Sequence, residues 1–137
     1  MTIIGFNFNK INVEKKTSVK GKINISNNIS IKSVEEYPLA VGKTQQKGLK
    51  FTFEFVSKYE PKVAEINLTG SVLTLQEAPK VEELVNAWKK DKKLPKEVMT
   101  PVINTALTKC NIQALILSQE LNLPPPIPLP KVKTAQK

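Results

Sequence analysis

Histidine is absent from this 137-residue chain, and so is arginine; cysteine occurs once, at Cys110, and aspartate once, at Asp91. Each gap removes a class of chemistry. Without histidine, no side chain has an ordinary pKa near neutrality and no imidazole is available to a metal. A single cysteine makes neither an internal disulfide nor a multi-cysteine zinc site within one chain. The usual parts of a hydrolase triad are missing. Glutamate and lysine are left, and their spacing suggests no reaction. The chain therefore reads as no enzyme, with no cofactor and no small-molecule substrate. Arginine's planar fork is the preferred partner of guanine and of bidentate phosphate, so its absence argues against base-specific recognition of nucleic acid. No apolar run approaches the ~20 residues needed to span a bilayer. The opening Met1-Thr2-Ile3-Ile4-Gly5-Phe6 has no basic region before it and is interrupted by Asn7 and Asn9, so it does not read as a signal peptide. The expectation is a cytoplasmic protein with no membrane partner.

What the chain has in excess is lysine. All 21 basic residues are lysine against 12 acids, for a net charge of +9. Lysine attracts phosphate by simple charge. Beside glutamate it also solubilises a thermophile-like surface. Lys89, Lys90, Lys92 and Lys93, with Lys131 and Lys133 near the end, are the candidate phosphate contacts. For the first four, the plainer reading is a solvated helix end.

The first half of the chain alternates with the period of strands. Ile4, Phe6 and Phe8 share one phase, and Ile11 and Val13 continue in the other. That slip predicts a bulge near Asn9–Lys10 or a change of packed face. Ile23, Ile25, Ile29 and Ile31 form the cleanest period-2 segment. Leu49, Phe51, Phe53 and Phe55 make a third strand, and Ala64, Ile66, Leu68 and Val72 a fourth. Glu35–Gly42 reads as the connection between strands two and three. Tyr59-Glu60-Pro61-Lys62 reads as a hairpin turn.

The second half reads as helices. Val81, Leu84, Val85 and Trp88 follow at i, i+3, i+4 and i+7, with Pro79 at a helix start. Pro95 opens a longer helix whose stripe includes Val98, Val102, Ala106, Cys110 and Ala114, with Pro101 as a potential kink. Lys96 to Glu120 would run roughly 37 Å, enough to cross a four-stranded sheet. Ile112, Ile116 and Leu121 lie off or at the edge of that stripe, as expected of a helix covered by a second subunit. Leu121-Asn122-Leu123-Pro124-Pro125-Pro126-Ile127-Pro128-Leu129-Pro130 then forms a stiff apolar strip, which could meet a proline-binding domain, but whose Leu123, Ile127 and Leu129 favour packing on its own protein. The fold class is α+β: a four-stranded antiparallel sheet against a long C-terminal helix, preceded by a shorter one. Residues 1–130 are expected to form one domain and 131–137 a basic flexible tail.

Val41-Gly42-Lys43-Thr44 lacks the upstream glycine of a phosphate-binding loop, since Tyr37 stands in its place, and reads as a hairpin loop. Phe51, Phe53 and Phe55 could stack bases, but a long helix needs a sheet to cover, which assigns them to the core. Cys110, on the helix stripe, reads as a buried inert thiol.

Four strands, a helix and a leucine–proline exit resemble SecB, the export chaperone. Met1–Phe8 is similar to its first strand, Phe51–Val56 and Ile66–Leu75 to its third and fourth. Leu121-Asn122-Leu123-Pro124-Pro125-Pro126 is similar to the exit of its long helix. The lysine-rich style also resembles archaeal SecB-like proteins. The resemblance implies a non-enzymatic protein that oligomerises, often as a dimer of dimers, and whose apolar grooves hold unfolded or nascent polypeptide. Phe6, Phe8, Ile112, Ile116, Leu121 and Leu123 are then the expected groove or oligomer interface. SecB proteins are typically acidic and dock the SecA motor, whereas this chain is basic, and its proline strip stands where SecB has a terminal helix. The alternative is a ribosome-associated or ribosomal protein touching rRNA through its lysines.

Overall fold

The computed structural model describes residues 1–18, 21–38 and 46–128. Val41–Thr44 and the lysines at 131 and 133 lie outside the described residues. The elements follow as β1 (Thr2–Lys15), β2 (Asn24–Tyr37), β3 (Gln46–Glu60), β4 (Ala64–Glu77), α1 (Ala78–Asp91) and α2 (Lys96–Glu120). All three strand pairings are antiparallel, in the order β1-β4-β3-β2. Chain neighbours β1 and β2 thus sit at opposite edges. Their connection passes the tip of the β3–β4 hairpin, where Lys16 and Thr17 donate backbone N–H bonds to the Val63 carbonyl.

Alternation assigns the two faces of the sheet. Leu49, Phe51, Phe53, Phe55 and Tyr59 of β3, with Ile66, Leu68 and Val72 of β4, are buried beneath the helices. The three phenylalanines are core, as their spacing predicts. The other face carries Lys50, Thr52, Glu54 and Lys58 on β3, and Glu65, Asn67 and Thr69 on β4. Val56, Leu73 and Leu75 share that face and are half-buried, so it is mostly polar and not wholly so.

β2 runs farther than its first pattern indicates. Its register shifts between Ile31 and Ser33, and pairing then continues to Tyr37, opposite Gly48. Glu35–Tyr37 is therefore strand, not connection, because the bulge at Lys32 resets the alternation and hides the continuation.

α2 meets the sheet through Val98, Val102, Ala106, Cys110, Ala114 and Ser118, all buried. The middle of this seam is small, so the helix axis lies close to the sheet. Pro101 stays inside the helix without delaying its start; it forfeits one backbone bond, to Glu97, and is exposed. The helix ends in a Schellman motif. Asn122 is left-handed at φ 54, its N–H reaches the Gln119 carbonyl, and the Leu123 N–H reaches the Ser118 carbonyl. Pro124 then stops any continuation.

The proline strip is fastened to the β3–β2 side of the sheet. The Tyr59 hydroxyl donates to the Pro124 carbonyl at 2.6 Å, and Asn27 Nδ2 donates to the Pro126 carbonyl at 2.8 Å. Ser57 Oγ in turn donates to Asn27 Oδ1 at 2.6 Å. Leu123 and Pro126 are buried. These bonds supply donors to carbonyls that no strand or helix serves.

Candidate functional site

Two register shifts shape β1. One falls between Ile3 and Gly5, the other between Phe8 and Lys10. The second is the bulge that the phase slip predicts. The first leaves Ile4 as the extra residue, 45% exposed, so Ile4 does not continue the phase of Phe6 and Phe8. Between the shifts, Phe6 pairs with Val72 and Phe8 with Gly70, which aims both rings at the helix side. They join Phe53 in a cluster: Phe6 lies 4.9 Å from Phe8, edge to face, and 5.4 Å from Phe53, stacked. Beyond the bulge, Ile11 and Val13 return to the same side, opposite Leu68 and Ile66.

β1 is a terminal strand, and α2 only partly roofs it. Lys109 Nζ sits 6.0 Å from the Phe6 ring centroid, at the outer reach of a cation–π contact. Ile112 and Ile116 follow Lys109 at i+3 and i+7, on the same flank of α2. They are 54% and 48% exposed. At the far end, Lys15 Nζ donates to the Leu121 carbonyl at 3.1 Å, tying β1 to the end of α2. Phe6, Phe8, Ile11 and Val13 line the helix-facing side of this edge strand, while Ile112 and Ile116, each two residues from the buried Ala114, lie on the outer face of α2. Among the described residues the exposed large apolar side chains are Met1, Ile4, Ile11, Ile112 and Ile116. Every one lies on α2 or on β1 and the residue before it, so the exposed apolar surface belongs to one edge strand and to the outer face of the long helix.

The structure places Phe6 and Phe8 on the helix-facing side of β1 and Ile112 and Ile116 on the outer face of α2. Leu121 is half-buried near its end. Leu123 is 7% exposed and belongs to the core, as the apolar anchor that follows the Schellman turn. Lys89 and Lys90 lie in the last turn of α1, Lys92 caps that helix at φ 58, and the Lys93 N–H donates to Asp91 Oδ1. All four lysines are exposed, and Lys89 lies beside the end of β2, at the sheet edge opposite β1. Ile11 had its phase in the sequence, but its exposure follows from the edge position of β1, which no periodicity reports.

Two titratable groups are strongly displaced, both by burial. The Cys110 thiol is pushed up to about 12, and the Tyr59 hydroxyl to about 12. A thiol held protonated is a poor nucleophile, and Tyr59 is engaged in fastening the strip. Among the described residues no three of the metal-ligating acids and thiols come together, and no helix is long and apolar enough to cross a membrane.

No protein-family model matches the sequence, and no curated protein matches it. A solved structure does match: the Mycobacterium tuberculosis Rv1957 SecB-like chaperone, in complex with a ChAD peptide from the Rv1956 HigA1 antitoxin. The likeness covers 98% of this chain and 92% of that one, with a TM-score of 0.59 and 12% identity. This chain has a SecB-like fold. The long second helix and the four-stranded antiparallel sheet are the shared frame. At that identity the likeness establishes architecture and leaves the residues of the groove to be read from this chain alone.

Proposed function

We propose that this protein is a non-enzymatic, SecB-like holdase that binds extended apolar segments of unfolded or nascent polypeptide along β1 and α2, in what we term the β1–α2 groove. The observation that carries the reading is the gathering of exposed large apolar side chains along β1 and α2. A lone protein in water has no reason to collect such residues on two elements unless something covers them. The solved neighbour, whose fold is shared, is itself recorded with a peptide. The groove is suited to chains rather than small molecules. The exposed groups of β1 and α2 are aliphatic, with the aromatic Phe6 and Phe8 half-buried beside them, and such groups impose little directional selectivity.

Self-association, as a dimer or tetramer, uses the same two elements. β1 is a terminal strand whose outer backbone edge has no partner among the described residues. Its two bulges keep that edge from being a flat template. Polypeptide and second copy therefore meet adjoining surfaces. The experiment is suppression of light scattering by an aggregating client, with anisotropy titration of the same client labelled and unfolded. Suppression with saturable binding that persists at high salt fits apolar capture. Binding that collapses with added salt would instead assign the contact to the lysines. Absence of both suppression and binding would sink the proposal.

A further inference from the structure

The corner of the sheet where β2 begins and β3 ends meets the chain's own proline strip. α2 finishes near β1, where Lys15 Nζ reaches the Leu121 carbonyl. The strip then crosses to β3 and β2. Ser57 and Tyr59 share the helix-facing side of β3 with Phe55, and they pair with Asn27 and Ile25 of β2. Ser57 is fully buried and Tyr59 is 1% exposed.

The contact has the form of a bound peptide. From Pro124 to Pro128 no backbone–backbone hydrogen bond is made among the described residues. Side chains of the sheet hold the strip instead, through the Tyr59 hydroxyl on the Pro124 carbonyl and Asn27 Nδ2 on the Pro126 carbonyl. Ser57 Oγ donates to Asn27 Oδ1, which fixes the amide with its Nδ2 toward the strip. Pro126 is buried, Pro124 and Ile127 are half-buried, and Pro125 and Pro128 are exposed. Both donors reach main-chain carbonyls, which every polypeptide carries. An aromatic residue with donors aimed at those carbonyls is the usual way to recognise a proline-rich segment. Prolines suit such a site because their fixed φ leaves little freedom to lose on docking.

We infer that this β2–β3 corner is a docking site for proline-rich apolar polypeptide, and that the strip is its tethered occupant, displaced when such a segment arrives from another molecule. The inference stands apart from apolar capture along β1 and α2, because it uses other strands and hydrogen bonds to main chain.

The test is an anisotropy titration of the full chain with a labelled peptide that has the sequence of residues 123–130. In the parent the strip competes, so the peptide binds weakly. Pro124→Gly, Pro125→Gly and Pro126→Gly together loosen the strip by giving it freedom to lose. They leave the groove residues and the Leu123 anchor in place. The loosened chain is expected to bind the peptide about tenfold more tightly. Pro126→Ala alone should move affinity the same way by less, so the inference stays readable if the triple variant folds poorly. Adding Tyr59→Phe and Asn27→Asp to the loosened chain should abolish the gain; the aspartate still accepts from Ser57 but has no donor. Adding Ile112→Ser and Ile116→Ser should preserve the gain. The inference is overturned if neither loosened chain binds the peptide better than the parent, or if the gain survives loss of the Tyr59 and Asn27 donors. Loss of the gain with the two isoleucines would also overturn it, by placing the peptide on β1 and α2, and would leave the holdase proposal standing.

Discussion

Gly70 carries a sharp consequence for the groove. It sits in β4 directly opposite Phe8, where β1 begins its second bulge. A Cβ placed there would collide with the carbonyl oxygen of Asn7, and would lie 2.9 Å from Phe53 Cζ and 3.0 Å from Phe8 Cα. Two of those three obstacles are β1 backbone, which cannot rotate away. Gly70→Ala must therefore push β1 off β4 or drive Phe53 out of its packing with Phe6 and Phe8. Overpacking a core costs ~1–3 kcal/mol. This case belongs at the upper end, because relief requires moving a strand. With urea slopes of ~1–3 kcal/mol/M, the midpoint should fall by about 1 M or more. Gly5→Ala is the internal control: its Cβ would meet only the Leu73 side chain, at 3.4 Å. Replacing a strand glycine there should be neutral or stabilise by ~0.5–1 kcal/mol. Urea unfolding of both variants at one protein concentration decides the matter. A Gly70→Ala midpoint within error of the parent would refute the close approach of β1, and with it the placement of Phe6 and Phe8.

Other outcomes follow from the strip and the helix seam. Tyr59→Phe removes the donor to the Pro124 carbonyl and should cost ~1–3 kcal/mol, with the strip released before the sheet melts in hydrogen exchange. Cys110 should resist a thiol reagent in the folded protein and react fully in denaturant, since burial raises its pKa from 9.0 to about 12. Both Cys110 and Tyr59, the latter raised from 10.0 to about 12, are more easily ionised when unfolded. Their contribution to stability is complete below pH ~9 and is lost as pH rises toward 12, so alkaline unfolding should set in across that window. Cys110→Ser should remove the lower part of that alkaline loss, read by denaturation at stepped pH.

Much of this architecture is legible in the sequence because the signals are local. The jump from Phe8 to Ile11 announces a bulge, since strand faces repeat every second residue. Pro95 before the apolar stripe and Asn122-Leu123-Pro124 after it bracket α2 at its observed ends. The aromatic alternation of β3 is core because a long helix lies over it. What stays hidden depends on neighbours. Alternation in β2 says which side chains point together, but not that the strand sits at the edge opposite β1. The bulge at Lys32 disguises Glu35–Tyr37 as loop. Ile3 and Ile4 are both apolar, so the first register shift of β1 leaves no trace in hydropathy. Leu123 is as apolar as Ile112, yet the Schellman turn folds it inward while Ile112 stays out.

Apolar capture by the β1–α2 groove is tested most directly by binding an unfolded, labelled polypeptide to the parent and to the double variant Ile112→Ser, Ile116→Ser. Both residues are about half exposed, so the fold should keep its stability within ~0.5 kcal/mol. Each isoleucine has roughly 1 kcal/mol of burial still to gain on covering. Their joint loss should weaken binding about 30-fold. Unchanged affinity in a variant that remains fully folded would contradict the account.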